Sequence, residues 1–329
     1  MKILSQEENE LVFELIGCDV SFANALRRIL LAEVPTVALE YVYMINNTSL
    51  LHDEVLAHRI GLIPLNVDPR LFEDLDDPDE ATDLNTVVFK LQVSCEKQQN
   101  SRLQKGKDDD MNLENDPNVI QNAELEKAAL VATRKKAVET PGRPYTKHVY
   151  SGDLVWMPQG AQAKHFPNGI RPVHDDVLIA KLRPGQEIYL EAHGRRGIGR
   201  DHAKYSPVAT ACYRLYTEVE LAEPVYDDDA KELVYVYEPG VFELVPASEA
   251  GKKVEAKVCN SYACTMSRNY MRNSTLAKAV IMTRMPNRFI FSVESVGMQK
   301  PGVLVAEALK ILQQKCLSLI DLTREQDQF

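Results

Sequence analysis

The chain has 329 residues, 45% of them apolar, which is enough for one or two globular units with sizeable cores. Its 38 Lys and Arg against 48 Asp and Glu leave a formal charge of −10, which disfavours broad contact with nucleic-acid phosphates, because that binding runs on cations that displace counterions. No run approaches 18 consecutive apolar residues, so no membrane-spanning helix is expected, and "MKIL" stops at Ser5-Gln6-Glu7 without the apolar stretch of a signal peptide.

Leu11, Phe13 and Leu15 alternate with Val12, Glu14 and Ile16, which predicts a strand after the polar turn "QEENE". A helix follows over "FANALRRILLAEVP", with Asp19 or Ser21 available as its cap and Pro35 as its stop. "TVALEYVYMI" is β-branched and aromatic and reads as a strand. "LLHDEVLAHRIG" reads as a short helix, with acids in its first turn, Gly61 at its end and Pro64 just beyond. Residues 68–83 are acidic. A calcium loop is excluded there, since "DLDDPDEATDLN" lacks the central glycine, and a solvated loop is expected.

"TVVFKLQVSC" predicts another strand, and residues 97–140 are polar and poor in aromatics. They read as a long mobile surface loop with a helical patch at 121–138. From 145 to 221, short strands are punctuated by Pro and Gly; in "ACYRLYTEVEL", Tyr213, Leu215, Thr217, Val219 and Leu221 share one face. Residues 225–283 mix short strands with a helical patch around "ACTMSRNYMR". "RFIFSVESVG" alternates Phe289, Phe291 and Val293 with Ile290, Ser292 and Glu294. A last helix is expected over 303–322, about 30 Å long at 1.5 Å per residue.

Two helices carry more apolar surface than one small sheet can cover. In the last, Val305, Leu309, Leu312, Cys316 and Leu319 recur at spacings of 4, 3, 4 and 3 and form a seam. Leu304, Ala308 and Ile311 form a second face, and Leu317 and Ile320 extend the arc. Such an arc predicts a second surface to pack on, and a partner subunit supplies one. In the first helix, Phe22, Ala25, Leu26 and Ile29 make one face, widened by Leu30, Leu31 and Ala32. Arg27 and Arg28 lie about 100° apart on the cylinder and cannot point the same way. Solvated charges on apolar stems and guanidinium anchors for a partner are both open readings of this pair.

Enzyme signals are weak. "GRRGIGRD" has a lone Gly-x-Gly with no GK[ST] to complete a phosphate loop. His193, Asp201 and His202 have no nucleophile or second carboxylate motif beside them, so structural roles are expected; a stand-alone enzyme with a site near 193–204 is the reading from another class. The six cysteines (Cys18, Cys95, Cys212, Cys259, Cys264, Cys316) are scattered and read as reduced thiols of a cytosolic or nuclear protein. Cys259 and Cys264 offer two thiolates where a [4Fe–4S] cluster needs four, so no metal and no cofactor are expected.

The segment "FANALRRILLAEVPTVALEYVYMINNTSLLHDEVLAHRIGLIPL" resembles the alpha motif of the RNA polymerase alpha-like subunits: bacterial alpha, its archaeal counterpart and the eukaryotic subunits of polymerases I, II and III. "RPVHDDVLIAKLRPGQEI" and "GIGRDHAKYSPVATACYRLY" resemble the version shared by polymerases I and III, whereas the polymerase II version departs after "HAK". "RFIFSVESVG" and the last helix resemble the closing strand and dimerisation helix of the family. The resemblance implies an α+β chain. A discontinuous dimerisation domain, 1–47 with 284–329, would surround a large inserted mixed, mainly β domain at 48–221 and a degenerate ferredoxin-like module at 222–283. Some archaeal relatives hold an iron–sulfur cluster with four cysteines in that module.

The implied function is that of a non-catalytic assembly subunit of RNA polymerases I and III, in the nucleus and nucleolus, serving rRNA, 5S rRNA and tRNA transcription. It would pair with the smaller alpha-like subunit and nucleate binding of the second-largest and largest subunits, with no direct nucleic-acid contact and no membrane. The polymerase II counterpart is the alternative within the family. The implied interface residues are Phe22, Ala25, Leu26, Arg27, Arg28, Ile29 and Leu30 on the first helix, and Val305, Leu309, Leu312, Cys316 and Leu319 on the last. The apolar face would meet the alpha partner and the local core, and Arg27 or Arg28 would face a large subunit. Relatives usually carry residues before the position of Met1; a truncated gene model and a genuinely short N-terminus would both explain that.

Overall fold

A computed structural model describes residues 1–74, 81–96, 146–247 and 253–326. The polar loop 97–140 and the middle of the acidic segment, 75–80, lie outside the described residues. The chain is α+β: its strand pairings are antiparallel, and six α-helices occur among the described residues. It divides into two compact units, one of residues 1–34, 208–296 and 300–329, the other of 35–207 and 297–299.

In the first unit, β1 (Lys2–Gln6) and β2 (Glu10–Ile16) form a hairpin, and α1 (Val20–Ala32) follows. The sequence reading begins its strands at Leu11 and misses β1, whose residues are nearly all exposed and carry no buried alternation. Asp19 is the cap of α1; its carboxylate accepts from the Ser21 backbone N–H at 2.8 Å. Far along the chain, β9 (Val208–Leu221) and β12 (Val280–Ser295) complete a sheet in the order β1-β2-β12-β9. Phe13 lies directly opposite Phe291, which lies opposite Tyr213. The two phenyl rings stack with centroids 5.2 Å apart, a geometry that adds to area burial. Leu11, Phe13, Leu15, Phe289, Phe291 and Val293 face one side, where α1 and the last helix, α6 (Pro301–Gln326), cover them. Pro301 opens α6, a position where its missing N–H would be unpaired anyway.

The opposite side of this sheet is polar at one point. Glu14 is fully buried and paired with Arg288, whose Nε donates to Oε1 at 2.8 Å, while Tyr262 Oη donates to Oε2 at 3.0 Å. Arg288 also lies 3.9 Å from the Tyr216 ring centroid. Tyr262 belongs to the segment between β9 and β12, which builds α4 (Asp227–Val236), the hairpin β10 (Phe242–Pro246) and β11 (Val254–Val258), and α5 (Ser274–Ala279) around its own core. Arg214 of β9 donates to the backbone carbonyl of Cys264 at 3.1 Å and to that of Tyr262. The helical patch expected around "ACTMSRNYMR" is two 3-10 turns, Ser261–Ala263 and Asn269–Arg272, with the α-helix beginning only at Ser274 after the Asn273 cap. Helix α4 is absent from the sequence reading; Asp227, Asp228 and Asp229 in its first turn are the signal that announces it.

The second unit is built on β3 (Pro35–Asn47), β4 (Thr86–Ser94), β6 (Val155–Trp156) and β8 (Glu187–Ile198), in the order β3-β8-β4-β6, with α2 (Asp53–Gly61) packed on β3. A two-stranded pair, β5 (Lys147–Tyr150) with β7 (Leu178–Leu182), and the one-turn α3 (Gln162–His165) complete it. Strand 35–47 pairs with β8 and belongs to this unit, whereas 208–221 pairs with β12 and belongs to the first. The chain therefore passes from one unit to the other at Val34/Pro35 and Pro207/Val208, whereas the sequence reading draws its domain bounds at 47 and 221.

"HAKYSP" closes the end of β3 through one polar cluster. Tyr205 is buried; its hydroxyl donates to Glu40 Oε2 at 2.9 Å and its carbonyl accepts from Thr36 Oγ1 at 2.7 Å. Lys204 pairs with the same carboxylate and donates to the Leu39 carbonyl at 3.0 Å. Burial by itself pushes the Glu40 carboxyl up, but hydrogen bonds from Lys204 and Tyr205 and the charges of Lys204 and Arg195 outweigh it and hold the group below the ordinary carboxylate range. Burial first, then the bond to Glu40, pushes the Tyr205 phenol up, so it stays a neutral donor.

A carboxyl depressed on folding adds stability above its unfolded value, roughly pH 4.3, and that increment disappears as pH falls through the folded value. Urea denaturation of the full chain should therefore show Glu40→Gln about 1–3 kcal/mol less stable at pH 7, with the gap closing toward pH 3. An unchanged gap across that range would remove the ionic role. Replacing Arg288 by Met should cost about 3–5 kcal/mol, because Glu14 is left charged and buried, and Glu14→Gln in that background should restore part of the loss. Equal stability of the single and double variants would refute it.

Candidate partner interface

Two helices from opposite ends of the chain lie side by side on the first unit's sheet. The same β2–β12 pairing that stacks Phe13 on Phe291 brings α1 and α6 into contact. Leu26, Ile29 and Leu30 of α1 and Leu304, Val305 and Ala308 of α6 are buried in the core they share with the sheet. Lys315 Nζ reaches Glu33 Oε1 at 2.5 Å and ties the end of α1 to α6. Of the sequence-predicted interface residues, Leu26, Ile29, Leu30 and Val305 therefore offer no surface to a second chain; they pack the local core.

The others form a surface. Phe22 and Ala25 of α1 and Leu309, Leu312 and Cys316 of α6 line an apolar groove of about 550 Å³, with Ser21 and Gln313 at its margin. Leu312 also touches the core beneath. Beyond it α6 leaves the sheet: residues 313–324 are all exposed, and they include Leu317, Leu319, Ile320 and Leu322. Leu319 is 63% exposed. Leu322, absent from the sequence reading, adds to this exposed apolar surface one residue before the seam's next position, Thr323. A 26-residue helix is about 39 Å long, and only its first half rests on the chain's own core.

The arginine pair splits. Arg27 turns back along its helix, its Nε and Nη2 donating to Asn24 Oδ1 at 3.2 and 2.9 Å. Arg28 is exposed, with no hydrogen-bond or ionic partner among the described residues. The structure places one anchored and one outward guanidinium where the sequence leaves the two equivalent.

The region read as an enzyme site is a structural corner. Gly194 and Gly197 lie in β8, with their backbone in the ladder to β3, and Gly199, the second glycine of the Gly-x-Gly, lies in the turn that follows the strand. A Cβ at Gly197 would stand 2.7 Å from the Tyr205 ring, so the glycine is needed for the close approach of that ring to the strand. His193 Nε2 lies 2.7 Å from Glu191 Oε1 and packs edge-on against Tyr43, while His202 Nδ1 accepts the Lys204 backbone N–H at 3.1 Å to close a 3-10 turn. Both imidazoles thus have structural partners, and Asp201 sits in the exposed turn between β8 and His202.

Cys259 is exposed and Cys264 is buried, its sulfur 3.9 Å from Met282 Sδ and accepting the Met266 N–H at 3.4 Å. Burial pushes the Cys264 thiol up, which keeps it protonated. Among the described residues no three His, Cys, Asp or Glu side chains converge as metal ligands.

Comparison with known proteins gives this geometry a family. The chain is 46% identical over 97% of its length to "DNA-directed RNA polymerases I and III subunit RPAC1" of Bos taurus, covering 83% of that protein. It is 40% identical over 96% of its length to the protein of the same name from Saccharomyces cerevisiae, covering 84% of it. Similarity to "DNA-directed RNA polymerases II, IV and V subunit 3" of Arabidopsis thaliana is 30% over 99% of the chain and 92% of that protein. Residues 12–316, from β2 to the middle of α6, match the family described as the RNA polymerase Rpb3/Rpb11 dimerisation domain, and the chain belongs to that family.

Proposed function

We propose that this chain is a non-catalytic assembly subunit of RNA polymerases I and III, and that it pairs with the smaller alpha-like subunit through the α1–α6 groove and the exposed half of α6. The carrying observation is that half-helix. Phe22, Leu309, Leu317, Leu319, Ile320 and Leu322 are left to water by the chain's own core. Burying a leucine side chain contributes roughly 1.5–3 kcal/mol, so covering several of them supplies a strong drive to associate. The polymerase I and III reading, over the polymerase II alternative, is supported by 46% and 40% identity to the I and III subunits against 30% to the II, IV and V subunit.

A polymerase I and III subunit works in the nucleus and, for polymerase I, the nucleolus, and the similarity to subunits named for these two polymerases supports that localisation for this chain. The sheet with α1 and α6 acts as the dimerisation domain, the second unit as the inserted domain, and 222–283 as a ferredoxin-like module without its cofactor. With the apolar groove facing the smaller alpha-like subunit, Arg28 remains exposed to meet the second-largest or largest subunit. The catalytic groups of the polymerase belong to other subunits, in keeping with the structural partners of His193 and His202.

Leu309 and Leu319 are the best probes, because both are exposed and neither is needed for the local core. The pair Leu309→Asp with Leu319→Asp should leave the chain's own urea midpoint nearly unchanged and abolish co-purification with the smaller subunit, since the charges would have to be desolvated without partners. Retained pairing would overturn the proposed interface. Arg28→Ala should form the heterodimer normally and weaken subsequent capture of the second-largest subunit. Arg27→Ala, its side chain already held by Asn24, should affect both steps less. Loss of the heterodimer in Arg28→Ala, or undiminished capture, would remove the role assigned to that side chain.

A further inference from the structure

Helix α6 changes its supports along its length. Leu304, Val305 and Ala308 are buried in the core, and Leu309, Leu312 and Cys316 line the groove beside Phe22. Lys315 then ties the helix to Glu33 at the end of α1. Past that point every residue through Arg324 is exposed, and Leu317, Leu319, Ile320 and Leu322 are between 44% and 63% exposed. Among the described residues, the side-chain hydrogen bonds and ion pair beyond Lys315 stay inside the helix. Ser318 Oγ donates to the Gln314 carbonyl at 3.0 Å, Thr323 Oγ1 donates to the Ile320 carbonyl at 2.8 Å, and Arg324 pairs with Asp321.

Residues 317–326 are therefore held helical by their own backbone ladder. Helices of fewer than about 12–15 residues are marginal in water by themselves, and packing of an apolar face supplies most helical stability in proteins. Composition does not make up the difference here. Ser318, Ile320, Asp321 and Thr323 are weaker helix formers than Ala or Leu, and the Ser318 and Thr323 hydroxyls compete with the ladder for its carbonyls. Because the earlier turns of α6 are fixed on the sheet, the segment can open from its end and re-form without a new nucleus.

We propose that 317–326 is an arm, open in the unpaired chain, that folds into the outer end of α6 as the smaller alpha-like subunit covers it. Folding on pairing rests on the heterodimer reading; opening is a property of the free chain. Pairing must then offset the ordering of the arm, so its affinity depends on helix propensity even at positions the partner does not cover. Such positions exist. At 100° per residue, Leu309, Leu312, Cys316, Leu319 and Ile320 share one side of the cylinder, and Gln314, Ser318 and Asp321 lie on the opposite side. An arm already folded in the free chain would leave pairing indifferent to substitutions there.

Hydrogen exchange read by mass spectrometry tests the opening, on the full chain alone and on the chain co-expressed with the smaller alpha-like subunit. In the free chain, amides of 319–324 should exchange at least about a hundredfold faster than those of 305–311, and they should slow in the heterodimer. Titration with the smaller subunit tests the coupling. Ser318→Gly with Asp321→Gly should pair about tenfold or more weakly than Ser318→Ala with Asp321→Ala, because glycine disfavours helix at each position. The urea midpoints of the two free variants should agree, since the arm is no part of the core. Free-chain arm amides as protected as 305–311, no added protection in the heterodimer, equal affinity of the two variants, or a lower urea midpoint in the glycine variant would each overturn the proposal. Failure of the unsubstituted chain to pair, with the arm open, would overturn the heterodimer reading and leave the opening standing.

Discussion

The antiparallel pairing of β2 with β12 is the constraint on which the first unit depends. Strands that begin at Glu10 and end at Ser295 are neighbours in one sheet, with Phe13 stacked on Phe291 across the ladder. Closing so long a loop carries an entropic cost, but one that grows only with the logarithm of its length, so the intervening chain can be long if the closing contact is good. The aromatic row Phe13–Phe291–Tyr213 is such a contact. Once it forms, α1 emerges from β2 and α6 from β12 on the same face, and their adjacency needs no further device.

The two faces of that sheet then have different chemistry for a simple reason of period. Alternate residues of β2 point opposite ways, so Leu11, Phe13 and Leu15 go to the helices while Glu14 goes to the 222–283 segment. A buried carboxylate is tolerable there because Arg288 and Tyr262 satisfy it from two different elements. The arrangement makes the module's seating on the sheet specific, since a shifted Tyr262 would strand a charge. Glu40 does the same in the second unit, where Lys204, Tyr205 and Arg195 converge on one carboxylate and Gly197 makes room for the ring.

The proposed interface follows from geometry as much as from apolarity. Three of the seven predicted contact residues of α1 and the first of α6 are consumed by the local core, and the accessible apolar surface lies further along α6 and on the flank of α1. A helix that outruns its own sheet exposes leucines that the described residues leave uncovered.

Much of this was legible in the residues. The period-2 text of β2 and β12, the cap and stop of α1, the acid-led α2 and the seam of α6 each state a local preference that the fold keeps, because burial and capping act over a few residues. The alpha-motif resemblance named the family for the same reason: its motifs are local strings. What the residues left open was decided by contacts far apart in the chain. Strand 35–47 reads as a strand whichever unit holds it, and only pairing with β8 assigns it to the second. β1 has no alternation to read because it is an edge strand exposed on both sides. Arg27 and Arg28 are identical letters until Asn24, one turn back, captures the first. Periodicity can say that Leu26, Val305 and Leu319 are all apolar and helical. Which of them meets the chain's own sheet and which meets water depends on where that sheet ends, a length set by the register of four strands that no single segment specifies.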